Sequence, residues 1–188
     1  MTRRVLVTPR SLTAAGLETV ADLEPLRAAG FALVPGPAGR VPTERELLDL
    51  VPGCVGWLAG IEPIGARVLA AATDLRVISR NGSGADAIDL AAAERAGIRV
   101  VRADGANAQG VAELAIALAL AGLRHVPWSA AALRAGRWTR HRGRELDECR
   151  VGVVGLGAIG GRVAGLFRAL GADVVATDPA VDPGTAPV

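Results

Sequence analysis

Apolar and polar positions along this chain switch between two periods, and the switching marks out alternating strands and helices. Short apolar runs predict strands at Arg4 to Thr8, Phe31 to Val34, Val55 to Ala59, Leu75 to Ser79 and Ile98 to Val101. Between them lie stretches with helical spacing: Leu12 to Ala29, broken and closed by Gly30; Thr43 through Leu50; Ile64 to Ala72; and Ile88 to Ala96. Thr43-Glu-Arg-Glu46 has the form of a capping box, and Pro52-Gly53 stops the helix that it opens. Strands and helices alternating over short connections predict a parallel sheet flanked by helices, with right-handed crossovers limiting its topology. This unit ends near Val101.

A long helix is predicted next, from Gln109 to Leu123. Val111, Leu114, Ala115 and Leu118 share one face, and little polar surface remains on any other. A helix apolar all round is expected to be buried, here between two domains. A polar connector from Arg124 to Asp147 leads into Arg150-Val-Gly-Val-Val-Gly-Leu-Gly-Ala-Ile-Gly160, an apolar strand running into a tight glycine turn. Val163, Leu166, Phe167 and Leu170 follow as a helical stripe, Gly171 stands where the helix should end, and Val174-Val-Ala-Thr177 reads as a second strand closed by Asp178. From Pro179 to Pro187 the chain reads as loop.

Strand, glycine turn, helix, strand and acid form the arrangement that holds a dinucleotide. Gly155 permits the sharp turn, Gly157 lets the backbone approach a pyrophosphate, and Gly160 lets the helix pack closely on the strand. The phosphates would sit at the helix N-terminus. Asp178 is placed to accept from the adenosine ribose hydroxyls and to repel a 2′-phosphate, which favours NAD over NADP. A βαβ unit without a ligand is the alternative.

Composition narrows the remaining classes. The chain has 188 residues, 51% of them hydrophobic, enough for a core in one large or two small domains. Its longest apolar stretch, Leu114 to Leu123, is too short to cross a bilayer, and Met-Thr-Arg-Arg runs directly into a strand, so a cytoplasmic location and no membrane partner are expected. The net charge of +2 is no polyanion signal. The one basic stretch, Arg134 to Arg144, is followed at once by Glu145, Asp147 and Glu148, so no nucleic-acid partner is expected. Cys54 and Cys149 lie far apart without neighbouring ligand residues, so buried thiols and no metal site are expected.

Gly82 and Gly84, following a strand, expose successive backbone N–H groups, a means of holding a carboxylate in a nest. An ordinary turn with an N-cap is the alternative, and Asp86 and Asp89 are read as caps of the next helix. Asn107 reads as a cap or turn residue, and Glu113 as complementing the helix N-terminus or meeting an arginine.

Six ordered segments carry a resemblance: Gly60-Ile-Glu-Pro-Ile64; Leu75-Arg-Val-Ile-Ser-Arg-Asn-Gly-Ser-Gly-Ala-Asp-Ala-Ile-Asp89; Ala96-Gly-Ile-Arg-Val100; Asn107 with Val111-Ala-Glu113; Gly136-Arg-Trp138; and Gly143-Arg-Glu-Leu146. Together with the glycine turn they resemble the D-isomer-specific 2-hydroxyacid dehydrogenases through nearly the whole chain. The resemblance implies an α/β fold: a flavodoxin-like substrate domain over residues 1–103, then, over residues 104–188, an interdomain helix and the start of a doubly wound Rossmann NAD-binding domain. It implies hydride transfer between NAD(H) and a 2-hydroxy or 2-keto acid, and a homodimer formed through the Gln109 to Trp138 region. By resemblance Ser83 and Gly84 supply amides to the substrate carboxylate, with Asn81 nearby. The cofactor set so implied is Val111, Gly155, Leu156, Gly157, Ala158, Ile159, Gly160, Asp178 and Pro179.

No catalytic residue is carried over. The family's orienting arginine and its histidine–glutamate pair come after the second strand of the nucleotide domain, and His125 and His141 match neither motif. The expectation is therefore an incomplete nucleotide domain, inactive alone. A non-catalytic nucleotide-binding or dimerisation module is the alternative. The cation expected near Gly60 for a phosphorylated acid is missing from Ala-Gly-Ile-Glu-Pro, so that substrate gains no support.

Overall fold

The computed structural model describes residues 2–182, so the loop expected from Pro179 onward is seen only as far as Asp182 and the rest lies outside the described residues. The chain divides into two compact units, Met1–Asp104 and Gly105–Val188.

The first unit is built on strands β1 (Arg4–Val7), β2 (Ala32–Pro35), β3 (Cys54–Ala59), β4 (Val77–Arg80) and β5 (Arg99–Arg102). They form one sheet in the order β2-β1-β3-β4-β5, parallel throughout. That is the flavodoxin-like order. The central β3 is the most apolar, as a strand covered on both faces must be. Helices α3 (Glu44–Leu50), α4 (Ala66–Ala71) and α5 (Leu90–Arg95) cover one face, where Leu6, Leu47, Val51, Trp57, Val68 and Ile78 form the main core. On the other face the expected broken helix resolves into α1 (Arg10–Thr13), two 3₁₀ turns and α2 (Glu24–Ala28), with Gly16 at φ +87° interrupting the run. This cover is partial and leaves an apolar groove of about 520 Å³ lined by Val5, Phe31, Leu58 and Val77 among others.

Two predicted helices start late for one reason. Ile64 and Ile88, each expected to open a helix, instead form a parallel bridge, with the Ile64 N–H donating to Ala87 at 2.7 Å and the Asp89 N–H to Ile64 at 2.9 Å. Asp89, rather than Asp86, then caps α5 by accepting from the Ala92 N–H at 2.9 Å. The Thr43–Glu46 capping box forms in both directions.

The second unit contains α6 (Ala108–Leu123), α7 (Val126–Arg134), β6 (Arg150–Val154), α8 (Gly160–Ala169) and β7 (Asp173–Thr177), with β6 and β7 paired in parallel. Three expectations are corrected. The segment from Arg124 is not all connector, because α7 occupies its first part: Pro127 stands in the first turn, where its missing N–H costs nothing. Nor is α6 buried on the expected face. Ile116, Ala119, Leu120 and Leu123 pack on Leu146, Phe167 and Ala172, while Leu114 and Leu118 are 58% and 64% exposed. In α8, Ala164 and Phe167 are the buried positions and Leu170 is exposed, since the helix ends there and turns through Gly171 at φ +93°. Among the described residues no single helix is long and apolar enough to cross a membrane, and α6 and α7 are bent 64° apart.

Candidate functional sites in the two units

In a sheet ordered β2-β1-β3-β4-β5 the winding direction reverses between β1 and β3, and the crevice beyond the carboxyl ends of those strands is where such folds bind ligands. Here that crevice, of about 410 Å³, is lined by Pro9, Arg10, Ser11, Gly60, Ile61 and Asn81, with Ala14 and Gly39.

Its floor is a polar cluster that periodicity did not reveal. Thr8, Trp57 and Glu62 are each 1% exposed. The Trp57 indole N–H donates to the Thr8 hydroxyl at 2.9 Å, the Thr8 hydroxyl donates to Glu62 Oε1, and the Gly60 N–H donates to the same carboxyl oxygen at 2.9 Å. Buried polar groups are tolerated when satisfied in this way, and the network pins the loops after β1 and β3 to each other. The only sequence hint was an acid, Glu62, between two apolar residues and a proline.

Of the expected substrate residues, Asn81 lines the crevice, while Ser83 and Gly84 lie further along the loop. The Ser83 hydroxyl donates to the Ala103 carbonyl at 3.3 Å, and the Ala103 N–H returns to Gly82 at 3.2 Å, tying the loop to the end of β5. Gly82 sits at φ +142°, and the guanidinium of Arg80 folds over it to donate to the Asn81 carbonyl. Among the described residues the N–H groups of Ser83 and Gly84 have no acceptor within the protein, which leaves two adjacent donors for an anion.

In the second unit the glycine turn has the geometry that its spacing demanded. Gly155 lies at φ +91° and its N–H donates to Thr177 at 2.7 Å, joining the turn to the end of β7. A Cβ on Gly160 would stand 1.8 Å from the Gly155 carbonyl oxygen, so only glycine fits where α8 starts. A Cβ on Gly157 would meet nothing within 4 Å: open space on the side from which a ligand can approach the backbone. Among the described residues the Ala158 and Ile159 amides have no protein acceptor, and Ile159 is 39% exposed.

Asp178 closes this loop from the far end of the unit. Its Oδ2 accepts from the Leu156 N–H at 2.6 Å and its Oδ1 from the Ala180 N–H at 2.8 Å. Those two bonds, the Leu156 one first, lower its pKa below the ordinary aspartate value. An ionised carboxylate has further lone pairs, so both oxygens can still accept from hydroxyls. Pro179 follows directly. Val111 stands on the exposed side of α6, and Gly105, ahead of that helix, lies against Ala158, whose methyl is 3.8 Å from the Cβ direction of Gly105.

The remaining candidates are structural. Asn107 occupies the N-cap position of α6 without a side-chain bond, and Glu113 meets Gln109 at 2.8 Å rather than an arginine. His125 and His141 stack with ring centres 5.2 Å apart. Cys54 is buried as expected, and Cys149 is only half-buried.

Comparison with known proteins gives a consistent result. The family profile described as D-isomer specific 2-hydroxyacid dehydrogenase, catalytic domain, matches residues 16–182. D-3-phosphoglycerate dehydrogenase of Mycobacterium tuberculosis is 43% identical over 148 residues, covering 77% of this chain and 28% of that protein. Hydroxypyruvate reductase of Thermotoga maritima is 36% identical over 138 residues, covering 72% of this chain and 45% of that one. The chain thus spans between a quarter and a half of the length of these two relatives. Among solved structures, the TT0316 protein from Thermus thermophilus superposes with a TM-score of 0.85 at 34% identity, covering 96% of this chain and 57% of that one. The NAD⁺-bound 3-phosphoglycerate dehydrogenase of Entamoeba histolytica, at 24% identity, shares the fold with a TM-score of 0.78, over 97% of this chain and 56% of its own.

Proposed function

The chain belongs to the D-isomer-specific 2-hydroxyacid dehydrogenase family, and from that premise we propose that it serves an NAD-dependent oxidation or reduction of a 2-hydroxy or 2-keto acid. The observation that carries this reading is the anchored glycine turn: Gly155 at positive φ, Gly157 facing open space, Gly160 without room for a side chain, and Asp178 bonded to the Leu156 amide. In this assignment the Ala158 and Ile159 amides hold the pyrophosphate. Asp178 accepts from the ribose hydroxyls and disfavours a 2′-phosphate. Val111, Leu156 and Pro179 complete the contacts that the resemblance implies. Bound there, NAD(H) supplies or accepts the hydride.

In the first unit the Ser83 and Gly84 amides hold the substrate carboxylate, with Asn81 at the adjoining crevice. None of these residues exchanges a proton, so binding by residues 1–188 without turnover is the expected behaviour, and activity belongs to a polypeptide that supplies an acid–base pair. Two free thiols fit a reducing, cytoplasmic compartment.

Calorimetry with NADH and NADPH, on the native chain and on Asp178→Ala, tests the cofactor assignment. Preference for NADH, weakened about tenfold in the variant, is the expected result, matching the loss of one charge-assisted contact. A folded chain that binds neither nucleotide overturns it.

One observation favours dimerisation through the second unit as well. Leu114, Leu118, Val126, Trp128, Leu133 and Trp138 are all more than half exposed, an apolar surface typical of an interface. A monomeric mass at micromolar concentration would exclude it.

A further inference from the structure

This inference rests on the reading of the Asn81–Gly84 loop as the substrate carboxylate site. A 2-hydroxy acid that carries a second anionic group on C3 needs a cation in the adjoining crevice to hold it. Position 60, where the sequence left that cation missing, is sterically closed. A Cβ on Gly60 would lie 2.8 Å from Glu62 Oε2 and 3.1 Å from Pro9 Cα, and Glu62 is locked beneath it by Thr8 and the Gly60 amide. Arg80, at the end of β4, is folded onto the Asn81 carbonyl.

The same crevice is nevertheless lined by a cation from another strand end. Arg10, which opens α1 three residues past the end of β1 at Val7, lines it together with Ser11, Gly60 and Asn81. Arg10 is exposed and, among the described residues, makes no salt bridge, so its charge is not consumed within the protein.

We infer that Arg10 is the specificity-determining cation of this site, pairing with a distal phosphate or carboxylate on C3 of the substrate, with the Ser11 hydroxyl as an additional donor. A guanidinium suits either anion, because its forked donors match two oxygens at once. The site thus selects for dianionic 2-hydroxy acids by the first residue of α1, just beyond β1, while position 60 remains glycine for steric reasons.

The test is calorimetric titration of the 188-residue chain, and of Arg10→Gln and Arg10→Lys, with D-3-phosphoglycerate, D-malate and D-glycerate. D-glycerate lacks a distal anion and is the reference, so the quantity read is the ratio of affinities within each protein. In the native chain at least one of the other two ligands binds about tenfold tighter than D-glycerate, the scale of one bidentate charged contact. In Arg10→Gln that ratio falls to within about twofold, and in Arg10→Lys an intermediate ratio remains, since an ammonium keeps the charge without the fork. An advantage confined to phosphoglycerate identifies a phosphate partner, and one confined to malate a carboxylate. Circular dichroism verifies that both variants fold, as expected for an exposed position. If D-glycerate binds but neither dianion gains, or the gain survives in Arg10→Gln, the role of Arg10 is overturned and the carboxylate site stands. If no ligand binds the folded native chain, both fall.

Discussion

Two residues, Gly160 in the glycine turn and Asp178 just beyond β7, carry most of the turn's specification. At Gly160 the nearest obstacle is backbone, the Gly155 carbonyl oxygen 1.8 Å from an added Cβ, and backbone cannot rotate away as a side chain can. Gly160→Ala is therefore expected to destabilise the second unit by about 3 kcal/mol, the upper range for overpacking, read from a shift in its denaturant midpoint. Asp178 gives a pH signature. Its folded pKa lies below the ordinary 3.8, held down first by the Leu156 N–H bond and then by the Ala180 N–H bond. A depressed carboxylate stabilises the fold above its unfolded pKa and loses that contribution as pH falls through the folded value. Exchange protection of the Leu156 amide should therefore survive as pH falls through the ordinary aspartate range and be lost only below it, whereas Asp178→Asn should show no such step. Glycine spacing and the terminal acid were legible in the sequence because they act through local backbone geometry. The Thr8–Glu62 contact was not: its partners are 54 residues apart and meet only because β1 and β3 are neighbours.

Among the elements, α3 shows how far local chemistry alone reaches. The Thr43 hydroxyl accepts from the Glu46 N–H at 3.3 Å, and Glu46 Oε2 accepts from the Thr43 N–H at 2.8 Å. Arg40 bonds the same carboxylate, and its bond, followed by the backbone and hydroxyl bonds of Thr43, lowers the Glu46 pKa to about 2. The cap should therefore persist through mildly acidic solution and fail only as pH approaches that value. Thr43→Ala is expected to cost about 1 kcal/mol at neutral pH, measured by denaturant unfolding. Such a helix is readable from four residues. By contrast, the buried face of α6 was not readable, because a helix apolar on all sides offers no moment to choose between faces, and Leu146 and Phe167 decide the matter from elsewhere in the chain. Likewise Ile64 and Ile88 have helical spacing, but a bridge between two loops claims their backbone groups.

Across the whole molecule the two units differ in how much they bury. The first carries a continuous core that includes fully buried Leu6, Leu47, Val51, Val68 and Ile78. The second has a cluster centred on Leu146, Phe167 and Ala172 beneath a two-stranded sheet, with Val154 89% exposed. Small cores and two-stranded sheets are marginal in isolation. Hydrogen exchange of the 188-residue chain should accordingly show its slowest amides in β1, β3 and β4, with those of β6 and β7 opening at lower free energy; equal protection in both units would refute this ordering. The bond between Asp178 and the Leu156 amide also bears on timing. Its acceptor lies 22 residues beyond its donor. A chain leaving the ribosome presents all three glycines well before the carboxylate that anchors them, so the loop takes its final shape only after β7 has been made and paired. The loop proposed to hold a dinucleotide is thus completed by a residue beyond β7 rather than at the motif by which it is recognised.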